Sequence, residues 1–259
     1  MTKYSIIIPV YNRPEEVDEL LKSLTLQTYT DFEVIIVEDG SSETCKRIVL
    51  QYQDVLNIAY HYKENTGQGF SRNFGFEKST GQWVVFYDSD CVIPENYFEN
   101  LNQLVIDGEF SAFSGPDAAR KDFSLLQKAI SYSMTSFLTT GGIRGRKVKV
   151  DGEAHLRSYN LVIKADVFDH LKGFAKTNMG EDMELSFRFN RLGYRAMISE
   201  TLKVYHKRRN SLGSFFRQVF SFGRTRIQLK RKYSIPIKIP HFFPTLFFIG
   251  LILGVFGFV

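Results

Sequence analysis

The chain has 259 residues, of which 44% are hydrophobic and 24% charged, an ordinary composition for a folded protein, which excludes a disordered or low-complexity chain. The net charge of +5 is unevenly distributed, because residues 201–259 contain 11 Lys and Arg and no Asp or Glu, whereas the first 200 residues carry 22 basic and 28 acidic side chains. A mildly acidic body with a basic tail predicts an anionic partner for the tail, either nucleic acid or a membrane.

The N-terminal residues run directly into strand-like sequence. They lack the long apolar region and the cleavage site of a signal peptide, so we expect the body to stay in the cytosol. The cysteines, Cys45 and Cys91, match no metal-binding spacing, and a reducing compartment is the simplest interpretation.

The first ninety residues alternate between strands and helices. Apolar runs predict strands at Tyr4–Val10, Phe32–Val37, Ile58–His61 and Trp83–Tyr87. The first predicted helix has Asn12 as its cap and Pro14 in its first turn, and its apolar residues at helical spacing are Val17, Leu20, Leu21 and Leu24. Two further helices are predicted at Glu43–Gln53 and Phe70–Lys78. This alternation predicts an α/β fold with a Rossmann-like, mostly parallel sheet between helices, in which ligands bind beyond the carboxyl ends of the strands.

The second half of the chain is less regular. The predicted features are a strand at Glu109–Ser114, a Gly-rich basic loop at Thr139–Val150, an extended segment at Arg157–Ile163, and a helix at Glu181–Leu192 with Leu185, Phe189 and Leu192 on one side. A further helix at Ser214–Leu229 is predicted to be amphipathic, with Phe215, Phe216, Val219 and Phe220 on one face and Arg217, Arg224 and Arg226 elsewhere. A basic amphipathic helix is typical of a membrane interface.

Residues 242–259 carry no charge, and six of these eighteen residues are Phe. At a rise of ~1.5 Å per residue they reach roughly 27 Å as a helix, just short of a bilayer core. A buried core helix is the alternative, but the composition and the preceding basic residues favour a membrane segment with its base on the cytosolic side. The chain stops inside this apolar run, and we therefore expect it to be a piece of a longer protein.

Two carboxylates, Asp88 and Asp90, follow the fourth predicted strand. With one residue between them at a strand end, they project into the same crevice, where hard divalent cations prefer such oxygen ligands. A capped turn is the alternative, because this spacing alone is common.

Glu38 and Asp39 occupy the equivalent position after the second strand. A carboxylate there accepts hydrogen bonds from a base or ribose, although Asp39-Gly40-Ser41 also fits an Asx turn. The segment Asn65–Gly75 follows the third strand. Its glycines, including Gly67, allow the backbone to approach a ligand, and Arg72 suits a phosphate or base.

Glu181 and Asp182 open a helix after Gly180. They are either acids that compensate the helix dipole or a general base for an acceptor hydroxyl. His206 is either structural or a nitrogen ligand beside a carboxylate-bound metal, and the Lys207–Arg209 run after it is a candidate for holding a diphosphate.

Together these segments resemble the family 2 glycosyltransferases with a GT-A fold, over roughly residues 3–226. The matching segments, in that family's order, are its opening strand at Ser5–Asn12, its second strand and nucleotide loop at Leu26–Ser41, its ARN-type segment at Asn65–Gly75, its DxD at Asp88–Asp90, its acceptor-side segment at Arg157–Leu161 with Gly173 and Phe174, and its ED motif at Gly180–Arg188. Each segment alone is weak evidence, whereas all of them in this order are specific.

The resemblance implies roles for the candidate residues. The predicted nucleotide site consists of Pro9, Tyr11, Arg13, Glu38, Asp39, Gly67, Arg72, Asp88 and Ser89. The predicted ligands of a divalent cation, Mn²⁺ or Mg²⁺, are Asp90, Asp88 and His206. Asp182 is the implied catalytic base with Glu181 as its neighbour, and Asn160 and Glu181 are placed on the acceptor side.

This sequence departs from the family pattern at two places. Glu38-Asp39 stands where the family usually has two aspartates, which bears on base recognition. The QxxRW motif of processive polymer synthases is absent, and Phe216–Arg224 in its place resembles the non-processive, membrane-attached members. Transfer of one sugar per encounter is therefore predicted.

We therefore predict a metal-dependent, inverting glycosyltransferase that moves a sugar from a nucleotide-diphosphate donor, with a UDP-sugar favoured, to a hydroxyl of a membrane-associated glycan or lipid. The predicted parts are a catalytic domain at 1–210 (nucleotide-binding half 1–100, acceptor half 101–210), a basic interfacial segment at 211–240 and an apolar membrane segment at 241–259. This arrangement predicts a location at the cytoplasmic face of a membrane and no nucleic-acid partner.

A sugar-nucleotide pyrophosphorylase is one alternative function, but Pro9–Arg13 lacks the Gly-rich loop that such an enzyme needs. A non-catalytic nucleotide-sugar-binding module is the other, but it would lack either the base or the metal pair.

Overall fold

The computed structural model describes residues 3–106, 108–118, 124–136, 154–175, 180–207, 211–233 and 242–256. The chain divides into two units, which are described separately: a body of residues 1–118 and 148–207, and a second unit of residues 119–147 and 208–259. The predicted basic loop Thr139–Val150 lies outside the described residues.

The body contains two β-sheets. Its described strands are β1 (Tyr4–Val10), β2 (Phe32–Asp39), β3 (Ile58–Lys63), β4 (Trp83–Tyr87), β5 (Cys91–Val92), β6 (Ala112–Ser114), β7 (Asp117–Ala118), β8 (Asn160–Lys164), β9 (Ala196–Ile198) and β10 (Val204–His206). Seven of them form one sheet in the order β3-β2-β1-β4-β8-β6-β9, and the others form a small sheet in the order β5-β10-β7. In the large sheet only β8 runs antiparallel to its neighbours, so the predicted mostly parallel sheet is confirmed for the described strands.

Helices follow most of the strands in the chain. The described helices are α1 (Pro14–Thr25), α2 (Lys46–Gln51), α3 (Gln68–Glu77), α4 (Tyr97–Ile106), α5 (Leu125–Thr135), α6 (Ala165–His170), α7 (Glu181–Arg191), α8 (Leu212–Tyr233) and α9 (Phe243–Phe256). Of these, α5, α8 and α9 belong to the second unit and the rest to the body.

The central strands of the large sheet are buried on both faces, as their continuous apolar sequences predict. Ile6 and Ile8 of β1 pack in one apolar layer with residues of α1 and α4, whereas Ile7, between them, packs in a second layer with residues of α6 and α7. Successive side chains of a strand point to opposite faces, so a strand buried on both faces has no polar alternation. Two-sided burial fixes the register of the central strands and therefore where each strand ends.

The carboxyl ends of β1 to β4 share one edge of the large sheet. In the parallel register Val10 lies opposite Glu38, and Asp39 lies opposite Lys63. The small sheet extends from this edge, because β5 begins directly after the turn that closes β4. Polar side chains at these strand ends are therefore brought close together.

Some local predictions are wrong. Arg13, rather than Asn12, precedes the first turn of α1, and no side chain caps this helix. The Asn12 side-chain oxygen instead accepts the backbone N–H groups of Ser42 at 2.9 Å and Glu43 at 3.1 Å, so it joins the segments that follow β1 and β2. Leu192 is half exposed because α7 ends one residue before it.

The second unit contains α5, α8 and α9 in its described residues. The predicted helix at Ser214–Leu229 lies within α8, whose exposed apolar side chains include Phe216, Val219, Phe220 and Ile227. α9 contains no charged residue and exposes Leu246, Phe247, Phe248, Ile249 and Leu253. In the part of the chain that the structure describes, no helix has the length and hydrophobicity needed to cross a bilayer.

Candidate active site

Two carboxylates, Asp88 and Asp90, follow β4 at the carboxyl edge of the large sheet. β5 begins at Cys91 and pairs with β10, so that His206 lies opposite Cys91 in the antiparallel register. His206 Nε2 is 3.0 Å from Asp90 Oδ1 and 3.7 Å from Asp88 Oδ2. The structure therefore brings together the predicted metal ligands, Asp88, Asp90 and His206, which are distant in sequence.

Each of these carboxylates is paired with an arginine. The guanidinium of Arg13 donates to Asp90 Oδ2, and Arg72 NH2 donates to Asp88 Oδ1 at 2.5 Å. The Arg72 side chain is fully buried, whereas that of Asp88 is 28% exposed. Arg72 thus binds Asp88 from the buried side, and part of the carboxylate stays exposed to the crevice.

The surrounding charges keep Asp90 ionised. Burial raises the pKa of Asp90, but His206 and Arg13 lower it by more, so the pKa lies well below its ordinary value. Burial lowers the pKa of His206, but the negative charges of Asp90 and Asp88 raise it by more. In the absence of another cation, these side chains compensate one another.

Glu181, the first residue of α7, is held in a buried polar network. Its Oε1 accepts hydrogen bonds from Gln68 Nε2 at 2.6 Å, Arg72 NH1 at 3.1 Å and Ser158 Oγ at 3.1 Å. Because Arg72 also binds Asp88, this network joins the end of β4 to the start of α7. The predicted catalytic segment is therefore anchored to the same crevice as the carboxylate pair.

Asp182, the next residue, is only partly buried and has different surroundings. Its negative charge acts on Arg157, whose pKa is lowered by burial but raised by more through Tyr159, Asp117 and Asp182. Arg157 NH1 donates to Tyr159 Oη at 2.9 Å, and the Tyr159 ring stacks on His206 with centroids 4.9 Å apart. A continuous set of contacts thus leads from the cation ligands to the environment of Asp182.

The carboxylate of Asp39 holds the loop that precedes α3. Its oxygens accept the backbone N–H groups of Thr66 and Gly67, each at 2.9 Å, and the ammonium of Lys63. Gly67 has a φ of 91°, a conformation that favours glycine, and it precedes the first turn of α3. This arrangement fixes the position of α3 and hence of Arg72.

The side chain of Glu38 does not have the exposed position that its predicted contact with a nucleotide requires. It is fully buried, and its carboxylate accepts the Ser41 hydroxyl, the Cys45 backbone N–H at 2.9 Å and the Tyr60 hydroxyl at 3.3 Å. Because side chains alternate along a strand, Glu38 points to the opposite face of β2 from Asp39. The structure thus gives Glu38 a role in holding the turn after β2.

Asn160 is also placed otherwise than predicted. It is fully buried; its Oδ1 accepts the Tyr97 hydroxyl at 2.6 Å, and its Nδ2 donates to the Leu202 carbonyl at 2.7 Å. Both ends of the amide are therefore used within the protein. Asn160 links β8 to α4 and to the turn before β10, and it presents no open group to an acceptor.

The remaining predicted residues flank the crevice. Pro9 is buried in β1, Tyr11 after it is exposed, and Ser89 is buried between the two carboxylates. Lys207 is bound to Glu19 of α1 at 2.8 Å, so in this structure it does not face an open diphosphate position. Arg208 and Arg209 lie outside the described residues.

Comparison with known proteins identifies the family. The sequence profile described as Glycosyl transferase family 2 matches residues 5–171, which is more than half of the chain. The chain belongs to this family. Glycosyltransferase GlyA of Streptococcus pneumoniae serotype 4 is 25% identical to this chain over 219 residues. The matched stretch covers 81% of this chain and 31% of GlyA. The first curated relatives are all longer, and the matched stretches span only 14% to 31% of their lengths.

Solved structures show the same fold. TarS 1-349 of Staphylococcus aureus, in complex with UDP-GlcNAc, superposes with a TM-score of 0.65 at 18% identity and covers 88% of this chain and 66% of that one. The mannosyltransferase PcManGT of Pyrobaculum calidifontis, in complex with GDP-Man and Mn²⁺, gives 0.67 at 19% identity and covers 93% of this chain and 67% of that one. The predicted GT-A fold is thereby confirmed.

The residues after β4 fit a divalent cation in this family 2 chain. His206 Nδ1 is buried and lacks a hydrogen-bond partner among the described residues, and the buried Asp90 Oδ1 has His206 Nε2 at 3.0 Å, in the geometry of an ion pair and not of a well-aligned hydrogen bond. Cys91 Sγ lies with Asp90 and His206 in a group of potential ligand atoms within 4.8 Å of one another. However, burial and the charges of Asp90 and Asp88 raise the pKa of Cys91 well above its usual value, so it stays a thiol. Carboxylate oxygens from Asp88 and Asp90, with His206 nitrogen, are the better donor set for Mn²⁺ or Mg²⁺.

Sequence reasoning missed several residues of this site. Cys91, Asp117 and Lys63 contact or surround predicted site residues but were not predicted, and Arg157 and Tyr159 were included only as part of the acceptor-side segment, without roles of their own. Cys91 directly follows the carboxylate pair, which was a usable signal. Lys63 was not recognisable from its own segment, because only the β2–β3 register places it opposite Asp39.

Proposed function

We propose that this chain is an inverting glycosyltransferase that moves a sugar from a UDP-sugar to a hydroxyl of a glycan or lipid acceptor, with Mn²⁺ or Mg²⁺ bound. The observation that supports this proposal is the joining of Asp88 to Glu181 through Arg72, because Glu181 directly precedes Asp182, the proposed base, and Asp88 is a proposed ligand of the cation that would bind the diphosphate. A binding module has no need of such a base, and this arrangement favours an enzyme.

The donor would lie along the carboxyl edge of the sheet. Asp39 and the loop of Gly67, which are joined by a hydrogen bond, would contact the nucleoside, with Pro9 and Tyr11 beside it. Asp88, Asp90 and His206 would hold the cation, which when bound supplies positive charge to the departing diphosphate. Arg13 lies against Asp90 and is a cationic side chain that could contact those phosphates.

Asp182 is the proposed general base. It would take the proton of the acceptor hydroxyl as that oxygen forms a bond to the anomeric carbon and the bond to the diphosphate breaks. A single displacement of this kind inverts the anomeric centre. Glu181 is tied to Arg72, Gln68 and Ser158, so it would position the start of α7 while Asp182 acts on the acceptor.

The second unit carries the proposed membrane contact. α8 exposes Phe216, Val219 and Phe220, and its last turn contains Lys230, Arg231 and Lys232. α9 contains no charged residue. Apolar side chains beside lysines and arginines, with no acidic residue after Glu200, suit the surface of an anionic bilayer. We place the enzyme at the cytoplasmic face of a membrane, where it would act on a membrane-associated acceptor, one sugar at a time.

The names of similar proteins support this choice without deciding the substrate. The structure of TarS contains UDP-GlcNAc, and that of PcManGT contains GDP-Man and Mn²⁺. Both are nucleotide-diphosphate sugars, although their bases and sugars differ. We favour UDP because the carboxylate of Asp39, if it meets the base, would accept the N3–H group of uracil.

The test is a screen of sugar nucleotides for transfer or slow donor hydrolysis, with and without Mn²⁺. We expect nucleotide release from one UDP-sugar, dependent on the cation. Asp182→Asn should keep donor binding by calorimetry but lower turnover by at least ~100-fold, the usual scale for a general base. Asp169→Asn, a change at an exposed side chain of α6, is the matched control. Normal turnover by Asp182→Asn would remove this residue from the proposed role.

A further inference from the structure

Lys63 is the last residue of β3 and lies at the nucleotide end of the sheet. In the parallel register it is opposite Asp39, the last residue of β2. Its ammonium reaches the Asp39 carboxylate, the Glu64 carbonyl at 2.8 Å, Thr66 Oγ1 at 2.6 Å and Ser71 Oγ at 3.3 Å. These acceptors use the donors of the ammonium, so Lys63 is held firmly and is not an open donor for a ligand.

These contacts decide the state of the Asp39 carboxylate. The side chain of Asp39 is 4% exposed, and an isolated carboxyl group so deeply buried would favour its neutral, protonated form. Burial does raise the pKa of Asp39, but hydrogen bonds from Lys63 and from the Thr66 N–H outweigh it, and the net pKa is lowered. Asp39 is therefore kept as a fixed carboxylate, which accepts hydrogen bonds and donates none.

A carboxylate with this property distinguishes the two pyrimidine bases. Uracil carries a hydrogen on N3, whereas cytosine has a bare, accepting N3 at the same position. An acceptor that is held in place binds the first and repels the second, and an unmatched buried polar group is heavily penalised. If Asp39 became protonated or mobile, this difference would be reduced.

We propose that Lys63 is a positioning residue that makes the nucleotide site selective for uracil over cytosine, by holding Asp39 as a fixed acceptor. This inference rests on the proposed function, since it takes Asp39 to lie in the nucleotide site. It adds a determinant of base selectivity that does not itself touch the nucleotide. The ion pair also joins β3 to the loop before α3, so its purely structural role has to be separated in the test.

The experiment measures UDP and CDP affinity by calorimetry for the full chain with Mn²⁺. We expect Lys63→Met to weaken UDP binding by about tenfold or more, as for the loss of a charge-assisted hydrogen bond, and CDP binding by less. The UDP-to-CDP affinity ratio should fall towards one. Lys63→Arg, which keeps the cation, should restore much of the ratio, and Lys172→Met, at a side chain that is 81% exposed, should leave it unchanged.

Two further readouts separate positioning from general damage. With saturating UDP-sugar, Lys63→Met should raise KM and leave kcat within about twofold, because the reacting atoms lie beyond the base. On acidification, Lys63→Met should lose its affinity for UDP at a higher pH than the wild-type chain does, because without Lys63 the pKa of Asp39 is no longer lowered as far. The wild-type chain keeps UDP binding to lower pH.

Each outcome decides the inference. A preserved UDP-to-CDP ratio in Lys63→Met, or a lower kcat with unchanged KM, overturns the role of Lys63 while leaving the glycosyltransferase proposal intact. If the wild-type chain binds neither nucleotide, both the proposed function and the inference fail. If Lys63→Met unfolds, Thr66→Val, which removes only one of the contacts of the ammonium, should lower the UDP-to-CDP ratio in part while Lys63→Arg keeps it, and an unchanged ratio in Thr66→Val overturns the role of Lys63.

Discussion

At the scale of single residues, two neighbouring acids at the start of α7 have different surroundings. Glu181 is buried and shared by Arg72, Gln68 and Ser158, whereas Asp182 is partly buried. A base has to reach its substrate, and a carboxylate that already accepts several hydrogen bonds is a weaker candidate for that role. This difference assigns positioning to Glu181 and proton transfer to Asp182 within the proposed mechanism.

Asp90 is the residue on which the cation proposal depends most. Asp90→Ala removes a proposed cation ligand and should abolish Mn²⁺-dependent strengthening of UDP binding, which calorimetry with and without Mn²⁺ measures directly. Asp54→Ala, at an exposed position, is the control. UDP binding that remains equally Mn²⁺-dependent in Asp90→Ala would count against this residue as a ligand.

Residue types at the strand ends were predictable, but their partners were not. Asp88, Asp90 and Asp39 were identified because acids at the carboxyl ends of parallel strands share one edge. Glu38 was identified by the same pattern and Asn160 by the family resemblance, yet the structure uses both as buried hydrogen-bond partners. Which way a polar side chain points depends on strand phase and neighbouring helices, which the local sequence does not specify.

At the scale of elements, α3 lies unusually close to the sheet. A Cβ atom added at Gly75 would be 2.4 Å from Cγ2 of Ile7 and 3.2 Å from Cγ2 of Val37. Only glycine allows this approach, and it sets the height of α3 above β1 and β2. Because Arg72 lies one turn earlier in α3, the same contact determines where its guanidinium meets Asp88 and Glu181.

Gly75→Ala is therefore expected to destabilise the body by about 1–3 kcal/mol through overpacking and to weaken donor binding through displacement of Arg72. Urea denaturation measures the first effect and calorimetry the second. Gly223→Ala is the matched control, because that position in α8 has no atom within 4 Å of an added Cβ, and alanine favours a helix. Equal stability of the two variants would contradict the close-approach argument.

Periodicity predicted the elements well where burial was strong. The buried run in β1 and the helical spacing of Val17, Leu20 and Leu24 in α1 match the structure, since core burial requires those periods. Element ends were less predictable. α2 begins at Lys46 rather than Glu43, and Asn12 binds the turn after β2 instead of capping α1. Such ends depend on hydrogen bonds to other parts of the chain.

At the scale of the whole molecule, charge is divided between the two parts of the sequence. The first 200 residues are net acidic, and residues 201–259 are basic without any acidic residue. Within the second unit, α8 and α9 expose apolar side chains. We expect the chain to sediment with vesicles containing anionic lipid and not with neutral vesicles, and to be released by high salt in part.

Replacement of Lys230, Arg231 and Lys232 by Gln should lower partitioning to anionic vesicles by about a hundredfold, since each basic residue near such a surface contributes ~1 kcal/mol. Co-sedimentation over a lipid titration measures this change. A control with Lys46, Arg47 and Lys172 replaced by Gln, all exposed in the body, keeps the net charge of the triple variant. Equal loss of binding in both would indicate a nonspecific effect of net charge.

The sequence by itself determined the alternating α/β order, the buried strands, the acids at strand ends and the basic, apolar tail, because these depend on hydrophobic period and residue type. Only the tertiary structure decided that His206 meets Asp90, that Arg72 joins Asp88 to Glu181 and that Lys63 holds Asp39. The physical reason is that these contacts depend on strand register and helix height, which arise from packing across the whole sheet and not from any local segment.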